Sequence, residues 1–309
     1  MDFSHAFVVT VPNTLTFANK KTIFDTSPLR RQSEGIIETL REAGLVVNEH
    51  CLDDGAPVSA LLIGDAAVSI CGTTFLCRPR NPGISHIELR CILSAYCCSI
   101  EECPDVVDGK TVVLDGGDVF FTGREIFVGV RKHGTNFEGA KAVARVFCDH
   151  VVIPIHMSDK AQCLKYYVAV VAPDILAIGT SREGQHILKV IETEATLRYK
   201  IIPVEDDQGV NCILVNERLI FLRSKTAAKF IALQSNLLEL WTLDVADLLR
   251  VLWLYHLSHI ISNVLGDLVK HSQTLLVQLQ FGLPLARHCL LTKAMSTTKI
   301  FNTQQLSNG

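Results

Sequence analysis

No CxxC pair occurs among the eleven cysteines of the chain. That absence removes the commonest zinc-ribbon and dithiol-exchange spacings. Cys97 and Cys98 are adjacent, which suits neither a zinc site nor an easy disulfide. Cys148, His150 and His156 lie near one another, but no fourth ligand or HxxxH spacing goes with them, so no metal is expected. No cofactor is expected either. GxGxxG and a P-loop lysine are both missing. The Gly-flanked stretch GTSREG at 179–184 is better explained by Ser181 capping a helix than by bound phosphate. Charge of one sign is also lacking: the net charge of −3 gives no electrostatic reason to expect nucleic acid or an anionic membrane. The opening MDFSHAFVVTVPNT has no basic segment before an apolar one, so no secretory signal is expected. An odd number of irregularly spaced cysteines then reads as reduced thiols of a cytoplasmic protein, most of them small buried side chains, with redox sensing as the sharper alternative. Apolar residues make up 48% and charged residues 20%, the balance of a folded globular chain.

What the sequence does contain is a repeat. Residues 65–78 (DAAVSICGTTFLCR) read as strand, Gly turn, strand, and 116–130 (GGDVFFTGREIFVGV), 166–179 (YYVAVVAPDILAIG) and 211–223 (NCILVNERLIFLR) have the same shape. Their starts lie 51, 50 and 45 residues apart. A helical pattern follows each hairpin, at 86–96, 137–147, 183–192 and 226–235, and a short strand leads onward, as at 151–155 and 201–204. A fixed period of about 50 residues indicates a repeat architecture. The N-terminal part offers a strand at 5–11, an amphipathic helix at 30–43 ended by Gly44, and a strand at 45–50. Four units plus one split between the termini would close a ring of five and leave no sheet edge. The expectation is a single α/β domain over residues 1–250.

Residues 251–309 depart from this pattern. From Leu248 to Gln280 Leu and Ile recur at helical spacing, with His256, His259, Asp267 and Lys270 among them. Those polar residues argue against a membrane span and for an amphipathic helix that packs or binds a partner. The fifth unit is therefore expected to be incomplete. The last residues, 296–309, are polar.

The run LDGGDVFFTGREIFVGV, residues 114–130, resembles the most recognisable stretch of the dimethylargininases, a branch of the pentein fold. Further matches follow in order: HAFVV and Val11-Pro12, Gly64-Asp65-Ala66-Ala67-Val68, Arg78-Pro79 with Pro82, Thr135-Asn136, Ala172-Pro173-Asp174 and Val210-Asn211-Cys212-Ile213. The resemblance spans roughly residues 5–235. It implies a five-bladed α/β propeller with five-fold pseudosymmetry. It also implies hydrolysis of an N-methylated arginine to citrulline and a methylamine, with methylated arginine as the small-molecule partner. In that chemistry a Cys attacks the guanidinium carbon, a His acts as general acid and then activates water, and carboxylates hold the cation and orient the His.

Carried over position by position, the resemblance places Asp115 as the carboxylate that orients the histidine and Asp65 as the one that pairs with the guanidinium. Asp118 stands in the same motif, as a turn residue or a further substrate contact. The expected histidine falls on Cys163, and a thiol does not do that work near neutral pH. His156, seven residues earlier, is the nearest imidazole. The expected nucleophile falls near Leu257; the only later cysteine is Cys289, in ARHCLLTK, where Arg287 and His288 would favour a thiolate. Arginines that would hold the substrate carboxylate fall on Ile84, Ser85, His86 and Gly134, with Arg131 as a substitute from a different place. Three readings stay open: an active hydrolase using realigned groups, a non-catalytic pentein that binds a partner or a cationic metabolite, and a splice form with a replaced C-terminus.

Overall fold

The computed structural model describes residues 3–16, 26–80, 83–95, 97, 99–222, 227–231, 238–245 and 247–248. The expectations for residues 251–309, Cys289 included, lie outside the described residues, as do most of the positions expected to be helical beyond Ile231.

Four units share one topology. In the first, Ala67–Ile70 and Thr73–Leu76 pair antiparallel, helix His86–Leu93 follows, and Ser99–Glu102 returns parallel to the second hairpin strand. The second unit is Val119–Phe121, Ile126–Val130, helix Phe137–Val146 and Val152–His156. The third is Val168–Ala172, Ile175–Gly179, helix Arg182–Glu194 and Lys200–Val204. The fourth is Cys212–Val215, Arg218–Leu222, helix Ala227–Ile231 and Glu239–Leu243. Each sheet has the second hairpin strand in the middle. A parallel return needs a crossover, and the helix supplies it. The N-terminal segment repeats the last three elements: His5–Thr10, helix Ser27–Glu42, and Val46–Cys51 parallel to the first strand. Among the described residues that sheet has two strands.

The elements form where their patterns require. Ser27–Glu42 buries Leu29, Ser33, Ile36, Ile37 and Leu40, one stripe of a 3.6-residue period. The middle strand Ile126–Val130 is covered on both faces and is apolar nearly throughout. Three helices start on a side-chain cap: Ser85 accepts from the Glu88 N–H, Asn136 from Gly139 and Ser181 from Gly184. Ser181 therefore caps, as its place in GTSREG suggests. One apolar cluster gathers Val8 and Leu15 of the N-terminal segment, Leu76 of the first unit, and Ile213, Ile220 and Leu243 of the fourth. The two ends of the described chain thus share a core.

A single tight helical turn stands before each hairpin: Ile63–Asp65, Gly116–Asp118, Leu164–Tyr166 and Asp207–Val210. Successive turns pack against one another. The approach of the first two depends on Gly116, where a Cβ would lie 2.2 Å from the Gly64 carbonyl oxygen. These turns carry the acidic residues singled out in the sequence. Among the described residues no helix is long and apolar enough to cross a membrane.

Candidate functional site

Asp65 ends the first of these turns and is fully buried. Its Oδ1 accepts a hydrogen bond of 2.7 Å from the Gly117 N–H of the next turn, while its Oδ2 has no hydrogen-bond partner among the described residues. Asp115 precedes the second turn and is buried as well. Its Oδ2 accepts from Arg131 Nη2 at 2.9 Å, and its Oδ1 is unbonded among the described residues. Asp118 differs. Its Oδ1 accepts from the Leu164 N–H at 3.0 Å, its Oδ2 from the Thr135 hydroxyl at 2.8 Å, and both face Arg131 Nε at 3.1 and 3.0 Å. Thr135 Oγ1 also accepts from the Asp115 backbone N–H at 2.9 Å. Asp118 is thus committed to holding the turns together, whereas Asp65 and Asp115 each keep one oxygen for something else.

Arg131 leaves the end of strand Ile126–Val130 and folds inward, its side chain 9% exposed. The space for it comes from Gly134, where a Cβ would lie 2.3 Å from Arg131 Cζ. Burial works against this cation, yet Asp118 and then Asp115 more than offset it and raise its pKa. Burial drives the Asp115 carboxyl up to about 7, with Arg131 opposing and Asp118 adding to the rise. Asp65 is raised by burial too, then by Asp115 and Asp118.

Cys163 directly precedes the third turn and is buried. Burial, then Asp118 and Asp65, push its thiol up, so it is a neutral thiol and neither an acid nor a ready nucleophile. Lys165 sits on the same turn, and burial lowers its pKa while Asp65 resists. Lys165 also forms part of the wall of a cleft of about 190 Å³ lined by Phe120, Phe121, Val168, Ile213 and Leu214.

The structure brings Asp65, Asp115, Asp118, Arg131 and Cys163 to one place, and Lys165 joins them. Lys165 is the member of this group to which no sequence motif pointed. The positions expected to hold a substrate carboxylate have other tasks. Ile84 is in the core, Ser85 caps a helix, and His86 Nε2 bonds the Cys77 carbonyl at 2.5 Å. Arg131 is committed to two carboxylates. His156 is exposed, its ring stacked on Phe137 with centroids 6.2 Å apart.

No family model matches the sequence. Human DDAH2 is 28% identical over 225 residues, covering 70% of this chain and 76% of that protein. Bovine DDAH2 is 28% identical over 221 residues, covering 69% and 74%. The chain is thus similar to dimethylargininase-like proteins. Solved structures agree in fold. DDAH from Pseudomonas aeruginosa, complexed with citrulline, has a TM-score of 0.62 at 18% identity, covering 80% of this chain and 94% of that one. The N-terminal domain of ArgZ, an arginine dihydrolase from cyanobacteria, has a TM-score of 0.61 at 15% identity, covering 81% and 94%. The mixed α/β fold is thereby set.

Proposed function

We propose that this dimethylargininase-like chain binds a small guanidinium-type cation, methylated arginine being the ligand class its resemblance implies, and does not hydrolyse it. One observation carries the reading: Arg131 Nη2 bonds the carboxylate of Asp115 at 2.9 Å, the acid that the resemblance assigns to orienting a histidine, and Cys163 stands where that histidine is expected. A permanent cation replaces a titrating imidazole. Asp115 then has no general acid to orient, while Asp65 keeps a buried oxygen suited to a cation. Losing one member of a catalytic set that acts as a unit costs roughly 10⁴- to 10⁶-fold in turnover. The citrulline in the Pseudomonas aeruginosa complex supports a small arginine-like ligand. In this reading the four units and the split N-terminal one form a five-bladed ring over residues 1–250, residues 251–309 are a helical extension, and the protein works in the cytoplasm.

The test is to incubate the purified full chain with monomethylarginine and dimethylarginine, following binding by calorimetry and citrulline by a colorimetric assay. Binding heat without citrulline is expected. Citrulline release abolished by Cys289→Ala or Cys163→Ala would overturn the non-catalytic part, and the absence of binding heat would overturn the binding part.

A further inference from the structure

Two buried carboxylate oxygens on neighbouring turns have no hydrogen-bond partner among the described residues: Asp65 Oδ2 and Asp115 Oδ1. They belong to carboxylates on neighbouring turns that the Gly117 N–H to Asp65 bond and the close Gly116–Gly64 approach hold together. Three carboxylates meet there, those of Asp65, Asp115 and Asp118. Arg131 bonds Asp118 and Asp115 but not Asp65. Lys165 is the other cation that faces the group, and it makes no ion pair among those found in the described residues. Arg80 also acts on Asp115, but its Nη2 donates to the Lys132 carbonyl on the exposed side. The buried groups alone, three carboxylates with Arg131 and Lys165, hold one more negative than positive charge, an excess that is costly where water is excluded unless a proton or a cation cancels it.

We propose that in the ligand-free chain the Asp65–Asp115 pair carries one proton, and that a small monovalent organic cation binds by taking that proton's place. The proposal rests on the cation-binding reading above. The exchange balances: one carboxylic acid O–H bond breaks, its proton leaves to solvent, and the cation pairs with the carboxylate that remains. A dication would overshoot neutrality, and a neutral ligand would leave the proton where it is.

The groups facing the pair come from every element around it. Asp118 shares the turn with Asp115. Arg131 comes from the end of strand Ile126–Val130, and Cys163 and Lys165 from the third turn. Cys77 and Arg80 follow strand Thr73–Leu76, and Cys103 lies beside Cys77. Burial raises all three thiols, Cys103 to about 12, so they stay neutral near pH 7. Arg131 stays charged, its two carboxylate partners holding the proton on. Burial favours the neutral form of the pair and of Lys165 alike, and the unbonded oxygens select the pair as the place of the exchange.

Calorimetry of methylguanidinium binding to the full chain, in two buffers of different ionisation heat at pH 6, reads the exchange directly. About one proton released per cation bound is expected, with affinity rising about tenfold per pH unit and levelling above pH ~7. Lys165→Gln is expected to keep the release, and Asp115→Asn to lose it. Binding without proton release overturns this proposal and leaves the cation-binding reading standing. Loss of the release in Lys165→Gln with retention in Asp115→Asn also overturns it. No binding at any pH overturns both. A second readout needs no variant: the ligand-free chain at pH 6 is expected to show the infrared C=O band of a protonated carboxylic acid, which methylguanidinium removes. Absence of that band refutes the shared proton.

Discussion

Replacing Arg131 with methionine removes the cation that Asp118 and Asp115 share, while leaving an unbranched apolar side chain in place of its stem. The arginine side chain is 9% exposed and its partners 0% and 3%, so solvent screens little of the interaction. Breaking a buried ion pair from one side costs about 3–5 kcal/mol, because the remaining charge stays buried. Asp118 keeps the Thr135 hydroxyl and the Leu164 N–H, which holds the figure to that range. Against a typical total of about 5–15 kcal/mol, this is a large fraction. The loss should depend on pH. Asp115 already has a folded pKa of about 7 against an ordinary 3.8, and without Arg131 it rises further. The stability contributed by a raised carboxyl pKa is fully present below the unfolded value and is lost as pH climbs through the folded one. The variant's deficit in urea unfolding is therefore expected to be larger at pH 8 than at pH 5.5. Parent and variant within about 1 kcal/mol of each other at pH 8 would refute the assignment of Arg131 as the central counter-charge.

Gly134→Ala places a methyl group 2.3 Å from Arg131 Cζ and should lower the thermal midpoint by an amount equivalent to about 1–3 kcal/mol, with much of the cost disappearing in an Arg131→Met background. Equal costs in the two backgrounds would contradict the steric account. Asn136→Ala removes an acceptor for the Gly139 and Val113 N–H groups and a donor to the Thr111 carbonyl, so about 2 kcal/mol of stability should be lost in chemical denaturation.

The repeat was legible because each unit is written in local signals. Turn residues such as Cys71-Gly72 and Pro173-Asp174 separate β-branched runs, and Ser181 marks a helix start that the structure then caps. Helix ends shifted by a few residues: the helix expected at 183–192 extends over Arg182–Glu194, because Ser181 sets its start and the chain turns extended at Ala195. The internal ion pairs were less legible. Nothing local distinguishes Asp118, with its acceptors engaged, from Asp115, three residues earlier, with one oxygen unbonded. That distinction depends on Leu164 and Thr135, which reach it from 46 and 17 residues away. Gly134 likewise reads in sequence as a missing arginine. In three dimensions it is the space that lets Arg131 turn inward.

The acidic turns have a mechanical consequence as well. In a repeat array each unit touches mainly its neighbours, so the array can open one unit at a time. Here Asp65 of the first unit grips the backbone of the second at Gly117, and Asp118 of the second grips the backbone of the third at Leu164. These two bonds cross unit boundaries at the centre, in series. The amide protons of Gly117 and Leu164 should therefore exchange with solvent together, in one opening that spans three units, and a lesion at either aspartate should release both.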